Sequence, residues 1–224
     1  METTYVQKLS LGSVTPAALC DLFQQMASGH LTSLGIGFDE MRQQGLLWMI
    51  VKQKLVFYRC PTAGEMVTAA TWLSKVQYGM YLRQYEIRTT VGEVICRAAA
   101  TWTLVDAEKR TLSSVTPVVP LHQEEAQLAQ FSLLRSVKTT QTCSFTVPAA
   151  YLDQNNHMNN ARYFDAVAPI LPEDRTLRTA QVDYHAEARE GEVLAIGYAR
   201  DGDTLLIQAQ GDRGLCFRMR LEYA

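Results

Sequence analysis

The sequence has no block of basic residues, no cysteine pair at short spacing and no apolar stretch long enough to cross a bilayer. Lys and Arg together number 21 against 23 Asp and Glu, giving a net charge of -2. With both signs interspersed, nothing resembles the cationic surface that grips nucleic acid through its phosphates. The five cysteines (Cys20, Cys60, Cys96, Cys143, Cys216) are odd in number and lie far apart. They form neither a C-x-x-C pair nor a zinc-ligand spacing, so they read as reduced thiols of an intracellular protein and not as a disulfide framework. The opening METTYVQKLSLG lacks the basic and apolar regions of a secretory signal. The expectation is a soluble, cytoplasmic protein with no membrane span and no nucleic-acid partner.

What is present is an ordinary globular composition, 47% hydrophobic and 20% charged over 224 residues. A chain of that length can bury roughly 70% of the surface it exposes when unfolded, without covalent staples. Thr15-Pro16 reads as a helix start, because Thr15 can cap free amides and Pro16 at the first helical position loses no hydrogen bond. Leu19, Phe23, Met26, His30 and Leu34 recur at spacings of three and four, and Gly35 supplies a stop. That face carries His30 inward, where a lone histidine reads as a packed core residue. From Trp48 the period changes: LWMIVKQKLVFY, EMVTAATWLSKV, GMYLRQYEIRT and EVICRAAATWTLV are strand-like runs separated by Gly or Pro. A helix followed by such strands is an α+β arrangement.

Residues 116–138, with Pro117, Pro120 and a mixed polar, helix-like stretch QEEAQLAQ, interrupt the pattern and read as a linker between a domain over 1–115 and another over 139–224. The order then returns: QTCSFTVP as a strand, NNARYFDAVAPIL as a shorter helix, and AQVDYHAEA, GEVLAIGYAR, TLLIQAQG and LCFRMRLEY as strands. LVFYRCPTAGEMV echoes QVDYHAEAREGEVL, each an aromatic strand reaching Gly-Glu, with Tyr58 against Tyr184. Matching element order and this echo together suggest duplication.

The densest chemistry lies in YLDQNNHMNNARYF, residues 151–164. An extended approach would put Asp153, Asn155 and His157 on one face, since side chains two apart share a side of a strand. A carboxylate, an amide and an imidazole would then converge beside a helix start near Asn159, where free amides and the helix dipole favour a developing oxyanion. Read singly, Asp and Asn before a helix are caps and turn formers. The combination at alternating spacing favours the catalytic reading.

DQNNHMNNARY resembles the D-x-N-x-H-[VM]-N-N-x-[KR]-Y signature of the plant and bacterial acyl-ACP thioesterases, and VDYHAEAREGEVL resembles that family's later L-E-Y-R-R-E-C-G strand. Helix one with His30, the LLWMIVKQKLVFYRCPTAGEMVTAATW run and the YGMYLRQYEI strand are similar to its amino-terminal half, so the likeness spans nearly the whole chain. The resemblance implies two tandem hotdog domains, each a long helix wrapped by an antiparallel sheet. It implies hydrolysis of fatty acyl carrier protein to free fatty acid, with no cofactor and no metal. The catalytic set it implies is Asp153, Asn155, His157 and Glu187, with Asn159 and Asn160 beside the substrate. Ala188 stands where plant members carry a cysteine, which removes a thiolate mechanism at that position, and Ala166 stands where they place an aromatic residue.

The mechanism expected is Glu187 deprotonating water, His157 sharing the proton network, Asp153 orienting His157, and Asn155 holding the carbonyl oxygen or Glu187 itself. Direct attack by a carboxylate to give an anhydride stays open. The acyl chain is expected in the first domain, and Arg135, Lys138, Arg162 and Arg189 are candidates to meet an acidic carrier protein. Competing readings are an acyl-CoA thioesterase, a hotdog hydratase or dehydratase, and a noncatalytic acyl-binding module. Exposed strand edges leave a homodimer open.

Overall fold

The computed structural model describes residues 3–122 and 131–224. The helix-like reading of QEEAQLAQ, residues 123–130, lies outside the described residues. The chain divides into two compact units, Met1–Val14 with Asp21–Gln130, and Thr15–Cys20 with Phe131–Ala224.

The first unit holds strands β1 (Thr4–Ser10), β2 (Leu46–Phe57), β3 (Met66–Gln77), β4 (Met80–Thr89) and β5 (Val94–Asp106), in the spatial order β1-β3-β4-β5-β2. Each pair within it is antiparallel. Helix α1 (Pro16–Ser33) begins as expected: the Ala18 N–H donates to Thr15 Oγ1 at 3.2 Å. Leu19, Phe23, Met26 and His30 are buried, and Phe23 meets Tyr85 of β4 with ring centroids 4.8 Å apart. Leu34 lies past the helix end and is half-buried, because the chain turns at Gly35 with φ of 73°. Two elements escaped the sequence reading. Strand β1 is a largely exposed edge whose apolar positions do not alternate cleanly, and α2 (Phe38–Gln43) is too short to show a helical period.

The second unit holds β6 (Gln141–Thr146), β7 (Leu177–Tyr184), β8 (Val193–Asp201), β9 (Thr204–Gly211) and β10 (Gly214–Tyr223), in the order β7-β10-β9-β8-β6. Numbered within its own unit, each set of five strands has the same order: first, third, fourth, fifth, second. The Gly-Glu echo recurs in the backbone. Gly64 donates to the carbonyl of Leu11 at 2.7 Å while Leu11 donates to that of Glu65 at 2.9 Å; Gly191 and Glu192 make the same pair of bonds with Val147, at 2.9 and 3.0 Å.

Two boundaries differ from the sequence reading. The helix expected over 159–171 is confined to α3 (Arg162–Val167), followed by a tight turn over Ala168–Ile170, because Asn159 and Asn160 build the entry turn and Pro169 has no amide to continue the ladder. Strand β7 ends at Tyr184, not at Ala188, because the N–H groups of His185 and Ala186 both turn to the Cys216 carbonyl, at 2.8 and 3.1 Å. The carboxyl end of the expected linker is fastened to this unit. The Gln181 amide exchanges two hydrogen bonds with Ser132, at 2.9 and 2.7 Å, and the Gln208 amide two with Val137, at 3.2 Å each.

Candidate active site

The segment holding Asp153, Asn155 and His157 is a closed loop and not an extended strand. A single bridge joins Leu152 to Met158, the Asp153 N–H donates to the His157 carbonyl at 2.8 Å, and the Asn156 N–H donates to the Asp153 carbonyl at 3.0 Å. Closing so short a loop forces Asn156 to φ of 59°, a left-handed conformation that asparagine tolerates better than most residues. The alternation argument for convergence therefore fails. Asp153 is the tie instead: its Oδ1 accepts the N–H of Asn155 at 2.8 Å and lies 3.4 Å from that of His157. A carboxylate taking backbone N–H groups in this way stabilises a turn as a helix cap does.

The loop delivers His157 inward, 7% exposed, against a segment from beyond β7. Its Nε2 lies 2.9 Å from Glu187 Oε2, with the glutamate side chain about one-fifth exposed. The pair is aligned by the adjacent backbone, since the Met158 N–H donates to the Ala188 carbonyl at 2.8 Å, one residue along on each segment. The Arg213 guanidinium donates to the Glu187 carbonyl. A partly buried carboxylate held against an imidazole can accept a proton, share it and release it, which is the requirement for general acid–base work.

Behind the pair is a packed floor. Tyr163 of α3 meets Tyr184 and Phe217 edge-on, each at 5.2 Å, and its hydroxyl oxygen accepts the Ala188 N–H at 3.3 Å. The Tyr184 hydroxyl donates to the Asn160 carbonyl at 3.0 Å. Burial pushes both phenols well above their usual range, so they serve as neutral hydrogen bonders. Ala188 is wholly buried. A thiol close to this segment is that of Cys216, which donates to the Ala186 carbonyl at 3.1 Å and is pushed up to about 11 by burial, so it carries no thiolate at neutral pH.

Asn159 and Asn160 are placed by these contacts. Asn159 Oδ1 accepts the Ala161 N–H at 2.8 Å and the Asn159 carbonyl accepts that of Arg162 at 2.9 Å, so amides expected to be open at the helix start are engaged. Asn160 is held through its backbone carbonyl. The sequence reading missed Tyr163, Arg213 and Glu192 as supports. Tyr163 stands inside the motif and Glu192 inside the Gly-Glu echo, whereas Arg213 has no local signal. Glu192 is 8% exposed and accepts the N–H groups of Arg189 at 3.0 Å and Asp212 at 2.8 Å, bracing the turn that carries Glu187. A side chain at Gly211 would collide with it, a Cβ there falling 2.2 Å from Glu192 Oε1.

Profiles of the acyl-ACP thioesterase N-terminal and C-terminal domains match residues 9–120 and 134–215. The chain belongs to the acyl-ACP thioesterase family. It is 26% identical over 219 residues to a chloroplastic acyl-[acyl-carrier-protein] hydrolase of Cuphea viscosissima, covering 85% of this chain and 52% of that protein. The chain spans about half the length of the curated relatives it matches. Among solved structures, an acyl-ACP thioesterase from Bacteroides thetaiotaomicron superposes with a TM-score of 0.88 at 16% identity, covering 99% of this chain and 98% of that one. The 12:0-ACP thioesterase from Umbellularia californica superposes at 0.82 and 19% identity, covering 100% and 98%. These likenesses, with antiparallel sheets and few helices, identify a hotdog-like α+β fold. Among the described residues no helix is long and apolar enough to cross a membrane.

Proposed function

We propose that this member of the acyl-ACP thioesterase family hydrolyses the thioester of fatty acyl carrier protein, releasing free fatty acid and the carrier's thiol. The observation that carries the reading is the 2.9 Å contact between His157 Nε2 and Glu187 Oε2, held by a loop that Asp153 closes. The thioester carbonyl is already electrophilic, so the protein must activate water and stabilise the tetrahedral oxyanion. Glu187 takes the proton from the attacking water as the C–O bond forms. His157 shares that proton through the contact, and the pair returns it to the departing pantetheine sulfur as the C–S bond breaks. The pair then stands as it began. Asn155, at the loop's partly exposed rim, and Asn159 and Asn160 beside it are assigned to the substrate side. Asp153 acts on the reaction through the loop it ties.

In this reading each unit is one hotdog domain, the first taking the acyl chain and the second doing the chemistry. The first lacks a D-x-N-x-H segment, and its buried Trp48 and Trp72 offer apolar wall. Arg135 and Lys138 line a cavity of about 350 Å³ in the second unit together with Arg218 and Arg220, a cationic surface suited to an acidic carrier protein. The test is a panel of acyl carrier proteins of graded chain length beside the matching acyl-CoAs, with gas chromatography of the released acids. Faster release from the carrier is expected. Equal or faster release from CoA would transfer the substrate assignment, and no release from either would end the hydrolase reading.

A further inference from the structure

The interior face of the first unit's strands holds a buried arginine with part of its hydrogen-bonding capacity unused. Arg83 of β4 is 1% exposed; its Nη1 lies 3.0 Å from His30 Nδ1 and 3.2 Å from Thr71 Oγ1, while its Nη2 has no hydrogen-bond partner. Burial lowers its pKa to about 10, against a smaller raising effect of Tyr85. Glu86, three residues on, points to the opposite face and is held by Arg88 and by Arg97 at 2.9 Å. Gln53 of β2, also 1% exposed, has a second orphaned atom, its Oε1.

The strand register brings the two together. Arg83 and Gln53 are both paired with Ala100 of β5, from its two sides, so all three side chains project from one face. The backbones of β4 and β2 are about 10 Å apart, two strand spacings, and the residue between them in the register is Ala100, whose side chain is a methyl group. Leu55, Leu73 and Tyr85, all buried, share that face, so the spot is polar within apolar surroundings. Burying an unused donor and an unused acceptor is costly, and natural cores seldom keep both without a use. One group answers both: a hydroxyl accepts from Arg83 and donates to Gln53. A carbonyl or carboxylate would satisfy Arg83 and leave Gln53 Oε1 facing a lone pair.

We propose that the interior of the first unit recognises a hydroxyl borne by the acyl chain, held between Arg83 Nη2 and Gln53 Oε1. The inference rests on the reading that this unit takes the acyl chain. Its test is therefore read as binding, which stands or falls apart from hydrolysis. Straight-chain hydroxy fatty acids of one length, with the hydroxyl moved carbon by carbon, are titrated into the full chain by calorimetry beside the unsubstituted acid. One hydroxyl position should bind about tenfold tighter or more than the unsubstituted acid, the direction expected of a site built to pair a hydroxyl. Gln53→Leu and Arg83→Met should each bring that ratio to about one. The melting temperature of Gln53→Leu should stay near the parent's, because it removes an unpaired buried acceptor, whereas Arg83→Met also takes a partner from His30 and Thr71 and should melt lower; should Arg83→Met not fold, Gln53→Leu alone decides. Equal or weaker binding at every position would overturn the proposal and leave an ordered water as the bridge. So would a preference that survives Gln53→Leu.

Discussion

The two units run the same strand order and make the same pair of backbone bonds at Gly64-Glu65 and Gly191-Glu192, yet they differ where chemistry is concerned. The first holds residues 21–33 of the 18-residue helix α1 and crosses from β2 to β3 through Arg59, Cys60 and Pro61. The second shortens its helix to six residues, spends the chain on a loop with His157, and puts Glu187 four residues before Gly191, where the first has Cys60 before Gly64. A common frame thus tolerates two kinds of insert, because its strand pairing does not depend on the connection between them. Specialisation needs only the loops to diverge.

The sharpest way to break this comparison is to neutralise the carboxylate in one unit and its positional counterpart in the other. Glu187→Gln and His157→Ala should each lower kcat on acyl carrier protein by about a hundredfold or more, with melting temperature held, whereas Cys60→Ala should leave kcat within about twofold. Near-normal turnover in Glu187→Gln would remove the second unit's claim to the chemistry. Next in size is the loop tie. Asp153→Ala leaves the Asn155 N–H without its acceptor and should cost about 1–2 kcal/mol of stability and roughly tenfold in kcat through a displaced His157. Asp153→Asn keeps an accepting oxygen and should recover most of both in denaturant titrations and steady-state kinetics. Failure of that rescue would mean that charge, not the turn, is what Asp153 supplies.

The difference between the two glutamates of the echo is read in stability alone. Each accepts the N–H three residues before it, Glu65 from Thr62 at 3.2 Å and Glu192 from Arg189 at 3.0 Å. Glu192 also takes the Asp212 N–H and is buried, so Glu192→Ala should cost about 2 kcal/mol or more, and Glu65→Ala less than about 1 kcal/mol, by chemical denaturation. Equal costs would show the turns to be equivalent supports. Smallest of all is the thiol pattern. Cys60 and Cys143 are exposed, and Cys20, Cys96 and Cys216 are buried. Alkylation of the native protein at pH 8 followed by mass spectrometry should label the exposed two first, with Cys216 protected because its thiol is held at about 11. Early labelling of Cys216 would show the floor beneath the site to be open.

Local pattern alone, read from the sequence, determined most of the scaffold. Runs rich in Val, Ile, Thr and aromatics between Gly or Pro placed β2 to β5 and β8 to β10, Thr15-Pro16 placed the start of α1, and the density of Asp, Asn and His marked residues 151–164 as the place to look. These are effects of neighbours along the chain, where sterics and hydrogen-bond competition act over a few residues. Tertiary structure decided the rest. The contact between His157 and Glu187 depends on the Met158–Ala188 bond between segments thirty residues apart. The turn tied by Asp153 replaces the expected alternation because loop closure overrides the preference of an isolated segment. The placement of Arg83 and Gln53 on one face follows from pairing to Ala100, and register across strands is set by the burial of all of them together.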